Sequence, residues 1–223
     1  MDLQRLMDRF GASAAEPVLL GMSGATVVRL VRRGERLYYK TGEGPLAAAI
    51  SDEADRMEWL ASVGFPCPQV VDRGNNWLLT AELPGRDASQ PWPEADRPAV
   101  IAALAEGLRQ LDALSGCPFD SPFPGTATAV THGDYCAPNV FVDPETLKFT
   151  GVLDLARLGS GDRYLDLALM VNSLSNGLNP QYGGPSAART FVAAYGGDFD
   201  DPRLQSYITL DQSGAFDARN DLR

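Results

Sequence analysis

The chain has 223 residues, 44% of them hydrophobic and 22% charged, and a formal net charge of −10. That length leaves room for one large domain or two lobes with an ample core, and the acidic balance argues against nucleic acid or an anionic membrane as the main partner. Cys67, Cys117 and Cys136 are widely spaced, form no CxxC or Cys/His metal pattern, and read as free thiols. With no basic-then-apolar leader and no transmembrane-length apolar run, the expected location is the cytoplasm.

Residues 1–10 place Leu3, Leu6, Met7 and Phe10 on one side of a short amphipathic helix. Residues 18–20 read as a strand entering the turn Gly21-Met22-Ser23-Gly24. The strand resumes over 25–31, turns at Arg32-Arg33-Gly34-Glu35 and returns through 37–40. Backbone N–H groups in such a turn can face a phosphate, and Ser23 can donate its hydroxyl. Taken alone it is an ordinary hairpin turn, since it is neither GxGxxG nor a Walker A loop. Alternation puts Tyr38 and Lys40 on one face and Leu37 and Tyr39 on the other. Residues 45–63 form a helix, with Pro45 in its first turn and Gly64 past its end. Glu53 sits near Met57 and Leu60 at helical spacing, and by itself would pair with Arg56. Two strands, 69–72 and 77–83, complete a small, mostly antiparallel sheet carrying one helix. Glu82-Leu83-Pro84-Gly85 then crosses to a second lobe, dividing the chain into 1–83 and 84–223. Residues 94–114 form a helix whose Val100, Ile101, Leu104, Leu108, Leu111 and Leu114 line a core-facing stripe. Residues 115–129 are rich in Pro, Gly and Thr.

The chemistry concentrates in VTHGDYCAPNVFVDPETLKFTGVLDLARLG. Two apolar runs, 140–142 and 149–153, flank Asp143-Pro144-Glu145 and read as a β-hairpin. Asp134 and Asn139 lie on the loop entering it, and Asp154 at its exit. The ends of a hairpin are neighbours, so three oxygen-bearing side chains can converge. Hard oxygen ligands suit Mg²⁺, which keeps nucleotide phosphates in its shell. Asn139 and Asp154 can hold the ion while Asp134 accepts a proton from an attacking hydroxyl. The Asp-x-x-x-x-Asn spacing is that of the protein-kinase catalytic loop, with Gly133 in place of Arg. His132, the single histidine, is read as a hydrogen-bonding brace rather than a base, because Asp134 fills that position. Beyond it, Asp162 can cap the helix starting near Arg163. Residues 164–174 form a buried helix, 176–185 a flexible loop, and 186–195 and 202–210 two further helices.

HGDYCAPN followed by GVLDLARLGSGDRYLDLAL resembles the aminoglycoside 3'-phosphotransferases through the HGD, PN, LD, RLG and DRY-x-D elements. The resemblance implies an α+β, two-lobed, protein-kinase-like fold and Mg²⁺-dependent transfer of the γ-phosphoryl of ATP or GTP to an aminoglycoside hydroxyl. By it, Ser23 belongs to the nucleotide loop, Lys40 grips the phosphates, and Glu53 orients Lys40. The backbone near Glu82 and Leu83 meets the nucleobase. Asp162 touches a cationic acceptor, Arg157 braces the metal loop or binds phosphate, and Asp166 supports the catalytic loop. The chain departs from the family at two places, both on the acceptor side. Residues 115–129 lack several helices, and the ending from Asp211 lacks an acidic-aromatic terminus. Another small alcohol as acceptor, or a nucleotide-binding protein without turnover, are the alternative readings.

Overall fold

The computed structural model describes residues 2–18 and 24–214. The turn with Gly21 and Ser23, and the tail from Ala215 onward, lie outside the described residues. Helix α1 (Leu3–Phe10) is capped by Asp2, whose carboxylate accepts from the N–H groups of Gln4 and Arg5. Strands β1 (Ala14–Val18), β2 (Thr26–Arg32), β3 (Glu35–Thr41), β4 (Val70–Gly74) and β5 (Trp77–Ala81) make one antiparallel sheet in the order β1-β2-β3-β5-β4. Strand β1 begins at Ala14, well before the expected residue 18. Pro17 hides it in the sequence, and an edge strand tolerates the missing donor.

The sheet has two different faces. Leu37 and Tyr39 join Val28, Leu30 and Leu79 beneath Leu6 and Phe10 of α1. Tyr38 and Lys40 point the other way, Lys40 to Glu53 of helix α2 (Pro45–Ser62) and Tyr38 to Glu82. Alternation along β3 alone sorts apolar from functional side chains.

The second lobe is built on helices α3 (Arg97–Asp112), α4 (Tyr164–Ser175), α5 (Pro185–Tyr195) and α6 (Pro202–Gln212). The α3 stripe is buried from Val100 to Leu111, while Leu114 packs from its edge. Strand β6 (Arg86–Asp87) pairs with β8 (Val140–Val142), which pairs with β9 (Phe149–Val152) as the expected hairpin. Strands β7 (Ala129–Thr131) and β10 (Gly159–Gly161) form a separate antiparallel pair. The 176–185 segment is more than a loop. It holds a 3-10 turn, Pro180–Tyr182, whose Tyr182 hydroxyl donates to the Ala88 carbonyl and whose Gln181 amide donates to the carbonyls of residues 88–90. None of the described helices is long and apolar enough to cross a membrane.

Where the lobes meet, the chain comes very close to itself. A Cβ added to Gly151 in β9 would lie 2.8 Å from both a Leu83 methyl carbon and the Pro66 carbonyl oxygen. The Val152 N–H donates to that same oxygen at 3.3 Å. Leu83, at the crossing, is buried there.

Candidate active site

The 132–139 loop is held from several sides. Asp166, in the first turn of α4 and fully buried, accepts from the N–H of His132 at 2.6 Å and of Gly133 at 3.0 Å. Burial pushes its carboxyl up to about 7, against the pull of those two N–H groups. His132 is also fully buried. Its Nδ1 accepts from the Asp134 N–H at 3.2 Å, which leaves Nε2–H to donate to the Leu153 carbonyl at 2.8 Å. Burial lowers the ring to about 4, which keeps it neutral, and both ring nitrogens are engaged by backbone groups. Tyr135 is fully buried and donates to the Leu104 carbonyl of α3 at 2.7 Å. Gly133 has a φ of +79°, and a Cβ there would lie 2.7 Å from the Arg157 Cβ. The loop can turn this close to Arg157 because residue 133 has no side chain.

The hairpin brings the oxygen-bearing residues together. Leu153 donates its N–H to the Asn139 carbonyl at 2.8 Å, directly beyond the ladder pair Val140–Val152. Asn139 and Asp154 are thereby neighbours at the hairpin mouth. The Asn139 Nδ2 donates to the Asp134 carbonyl oxygen and to its carboxylate Oδ2, both at 2.9 Å. Asp154 has a φ of +61°, a left-handed conformation uncommon for a residue with a side chain. Holding it costs on the order of 1 kcal/mol, a strain typical of sites where a side chain must be aimed.

Lys40 spans the lobes. Its Nζ lies 2.8 Å from Glu53 Oε2 and 2.8 Å from Asp154 Oδ1. Burial alone would lower the lysine, but the Glu53 and Asp154 carboxylates outweigh it and hold the ammonium above its usual value. Burial raises Glu53 while Lys40 pulls it down. Burial would raise Asp154 too, yet the contact with Lys40 leaves it below the ordinary carboxylate range. Arg56 turns elsewhere, to the Leu158 carbonyl at 2.8 Å and to Asp52 at 3.9 Å, so the Glu53–Arg56 pair expected from spacing alone does not form. Asp134 is pushed up to about 6, first by burial and then by the charge of Asp154, with Arg157 pulling the other way.

The remaining expected residues are placed as follows. Arg157 lies over the Phe123 ring, 5.3 Å from its centroid, and its charge favours ionisation of both Asp134 and Asp154. The Glu82 carboxylate meets Arg36 at 2.8 Å and the Tyr38 hydroxyl at 3.3 Å. The Glu82 N–H donates to the Arg36 carbonyl, so a nucleobase at the crossing must use other backbone groups. Asp162 accepts from the Tyr164 N–H at 3.0 Å, which caps α4, and it also holds the Tyr207 hydroxyl. Tyr38, half-buried on the Lys40 face, received no role from the sequence. Its position two residues before Lys40 was the available signal.

Mg²⁺ fits this donor set. The Asn139 nitrogen is committed to Asp134, so its oxygen is the free acceptor. One Asp154 oxygen faces Lys40, and the other remains. Among the described residues no group of three or more His, Cys, Asp or Glu side chains could hold a metal alone. One carboxylate and one amide suit an ion that completes its shell with phosphate and water.

The fold defines a kinase-like phosphotransferase. The model of the phosphotransferase enzyme family matches residues 14–128 and 119–207, and the chain belongs to that family. It is similar to an aminoglycoside 3'-phosphotransferase of Streptomyces ribosidificus, 35% identical over 244 aligned positions that cover 86% of this chain and 92% of that one. A streptomycin 3''-kinase of Streptomyces griseus is 29% identical, covering 87% and 90%. Among solved structures, an aminoglycoside-3'-phosphotransferase of type VIII superposes with a TM-score of 0.81 at 33% identity, covering 94% and 97%. The APH(3'')-Id enzyme of Streptomyces rimosus, in complex with ADP and streptomycin, superposes with a TM-score of 0.75 at 26% identity, covering 94% and 96%. The 244 aligned positions exceed the 223 residues of this chain, so that relative carries segments absent here. The two family matches overlap at 119–128, inside the Pro-, Gly- and Thr-rich segment 115–129.

Proposed function

We propose that this chain transfers the γ-phosphoryl group of ATP or GTP, with Mg²⁺, to the 3'-hydroxyl of an aminoglycoside and so confers resistance. The carrying observation is Lys40, held at 2.8 Å by Glu53 of one lobe and by Asp154 of the other, beside an Asp134 carboxylate tied to Asn139. The lobes divide near residue 84. Tyr38 offers its ring to the purine, and Lys40, steadied by Glu53, orients the phosphates. Asn139 and Asp154 would hold the ion, which supplies charge neutralisation on the transferring phosphates when bound. Asp134 aligns the acceptor hydroxyl and takes its proton as the new O–P bond forms and the bond to the nucleoside diphosphate breaks. Positioning and charge stabilisation do the rest, with no covalent enzyme intermediate.

The short 115–128 crossing favours a second reading of the acceptor alone, as another small cationic alcohol. Transfer of labelled γ-phosphate to kanamycin and to choline, with and without Mg²⁺, separates the two. In the Asp134→Ala variant turnover should fall by about 10²- to 10⁴-fold, the usual contribution of a positioned acid or base. Nucleotide affinity should stay within a few-fold. Unchanged turnover in that variant would remove Asp134 from the mechanism.

A further inference from the structure

The 132–139 loop is fastened to α4 at two points, and the reaction as drawn uses neither. The first is Asp166 on the N–H groups of His132 and Gly133. The second is Ser173, whose Oγ accepts from the Ala137 N–H at 3.0 Å. Seven residues separate Asp166 from Ser173, two helical turns, so both lie on one stripe of α4 about 10 Å apart. Ala137 opens the 3-10 turn Ala137–Asn139, which has no side-chain cap of its own. The cap comes instead from another helix. Asn139 closes the same turn, its N–H donating to the Cys136 carbonyl at 2.9 Å.

Ser173 is itself held. The Asn179 Nδ2 donates to the Ser173 carbonyl at 2.8 Å and to its Oγ at 3.2 Å. Both residues are almost wholly buried, at 6% and 5% exposure. Serines and threonines elsewhere in the lobe, such as Ser206 and Thr209 in α6, donate to the carbonyl four residues back. The Ser173 oxygen is used as an acceptor for two N–H groups, and Asn179 fixes where that oxygen sits.

We propose that Ser173 and Asn179 are positioning residues that set the turn presenting Asn139 to the metal and to Asp134. The inference rests on the proposed role of Asn139. Losing Ser173 frees the Ala137 N–H, and losing Asn179 releases the Ser173 oxygen that accepts from it, so either change lets the turn drift, although neither residue touches substrate.

The test compares Ser173→Ala and Asn179→Ala with Asn172→Ala. Asn172 lies next to Ser173 on α4, but its amide reaches Asp211 and the Ile208 carbonyl in α6. Partners one step removed from a metal ligand are commonly worth about 10- to 100-fold in metal affinity or activity. Ser173→Ala and Asn179→Ala should therefore raise the Mg²⁺ concentration that half-saturates nucleotide binding, and lower kcat, by about 10-fold. The acceptor KM should stay within about two-fold of wild type, and Ser173→Thr, which keeps the hydroxyl, should recover most of the loss. Asn172→Ala should lower Tm and leave kcat and the Mg²⁺ requirement alone. Amide exchange at Ala137 should quicken in the first two variants and not in the third. If the first two variants lose Tm but keep the wild-type Mg²⁺ requirement and kcat, the inference falls while the proposed function stands. If wild type transfers nothing to kanamycin, yet these variants still weaken Mg²⁺-dependent nucleotide binding, the acceptor reading falls and this inference stands. If wild type shows no Mg²⁺-dependent nucleotide binding, both fall.

Discussion

The 132–139 loop and the 115–128 crossing that leads into it are neighbours in sequence and opposites in construction. The loop is held by two buried side chains of α4, Asp166 and Ser173, and by the Leu104 carbonyl of α3, and most of its backbone donors have an acceptor. The crossing is fixed mostly by backbone pairing and by partly buried aromatic contacts. Ser121 and Thr128 donate their N–H groups to the Ser160 and Gly161 carbonyls, Phe119 accepts from the Ser160 N–H, and Phe123 rests on the Leu165–Leu169 cluster. Phosphoryl transfer needs one geometry, which buried hydrogen bonds specify. On the proposed function the crossing is part of the acceptor wall, a surface role that tolerates changes of length.

That contrast can be broken at its strong end first. Asp166→Ala orphans two buried N–H groups and should cost about 2 to 6 kcal/mol, one to three for each. Urea unfolding measures it, and a loss under 1 kcal/mol would mean the loop is held by other means. The next effect is one of acidity. His132 is neutral in the fold with its pKa near 4, below the ordinary 6.5. Between those values the unfolded chain takes the proton and the folded chain does not, so this residue's contribution is complete above pH 6.5 and shrinks on acidification towards pH 4. Asp166, raised to about 7, works in the opposite sense over much of that window, so a melting curve mixes the two. The ring nitrogens of the chain's one histidine report cleanly. At pH 5.5 their NMR signals should be those of the neutral Nε2–H form, and titration near 6.5 would contradict the burial described here. The smallest effect belongs to the crossing. Phe123 is only half-buried, so Phe123→Ala should cost about 1 to 2 kcal/mol, less than the roughly 3 to 5 of a fully buried phenylalanine. Its signature should be a several-fold change in acceptor KM with nucleotide KM untouched, and the reverse pattern would place the crossing on the wrong side of the cleft.

Periodicity explains what the sequence made legible. Alternation in β3 separated Lys40 from the core, helical spacing put Glu53 on the buried side of α2, and the two apolar runs around Asp143-Pro144-Glu145 marked the hairpin. Each of these signals is local. The misses are long-range. Strands β6, β7 and β10 are two or three residues long and exist because a distant partner satisfies them. Pro17 disguised β1, which its edge position permits. The composition of 176–185 reads as a flexible loop, yet Gln181 and Tyr182 fasten it to residues 88–90, about ninety positions earlier. Ser173 carries no local signal, since serine is an indifferent helix residue. Its offset of seven from Asp166 was the one clue that both face the same loop.

Gly151 carries a consequence for how the two lobes stay in register. Lys40, proposed to grip the phosphates, hangs from one lobe and the proposed base from the other, so their separation depends on how tightly the lobes close. The closure passes through a point where Pro66 and Leu83 rest against a residue with no side chain. Even one methyl group there would act as a wedge at the pivot, opening the cleft without altering any group that lines it. A close approach far from the proposed chemistry thereby bears on the spacing between donor and acceptor.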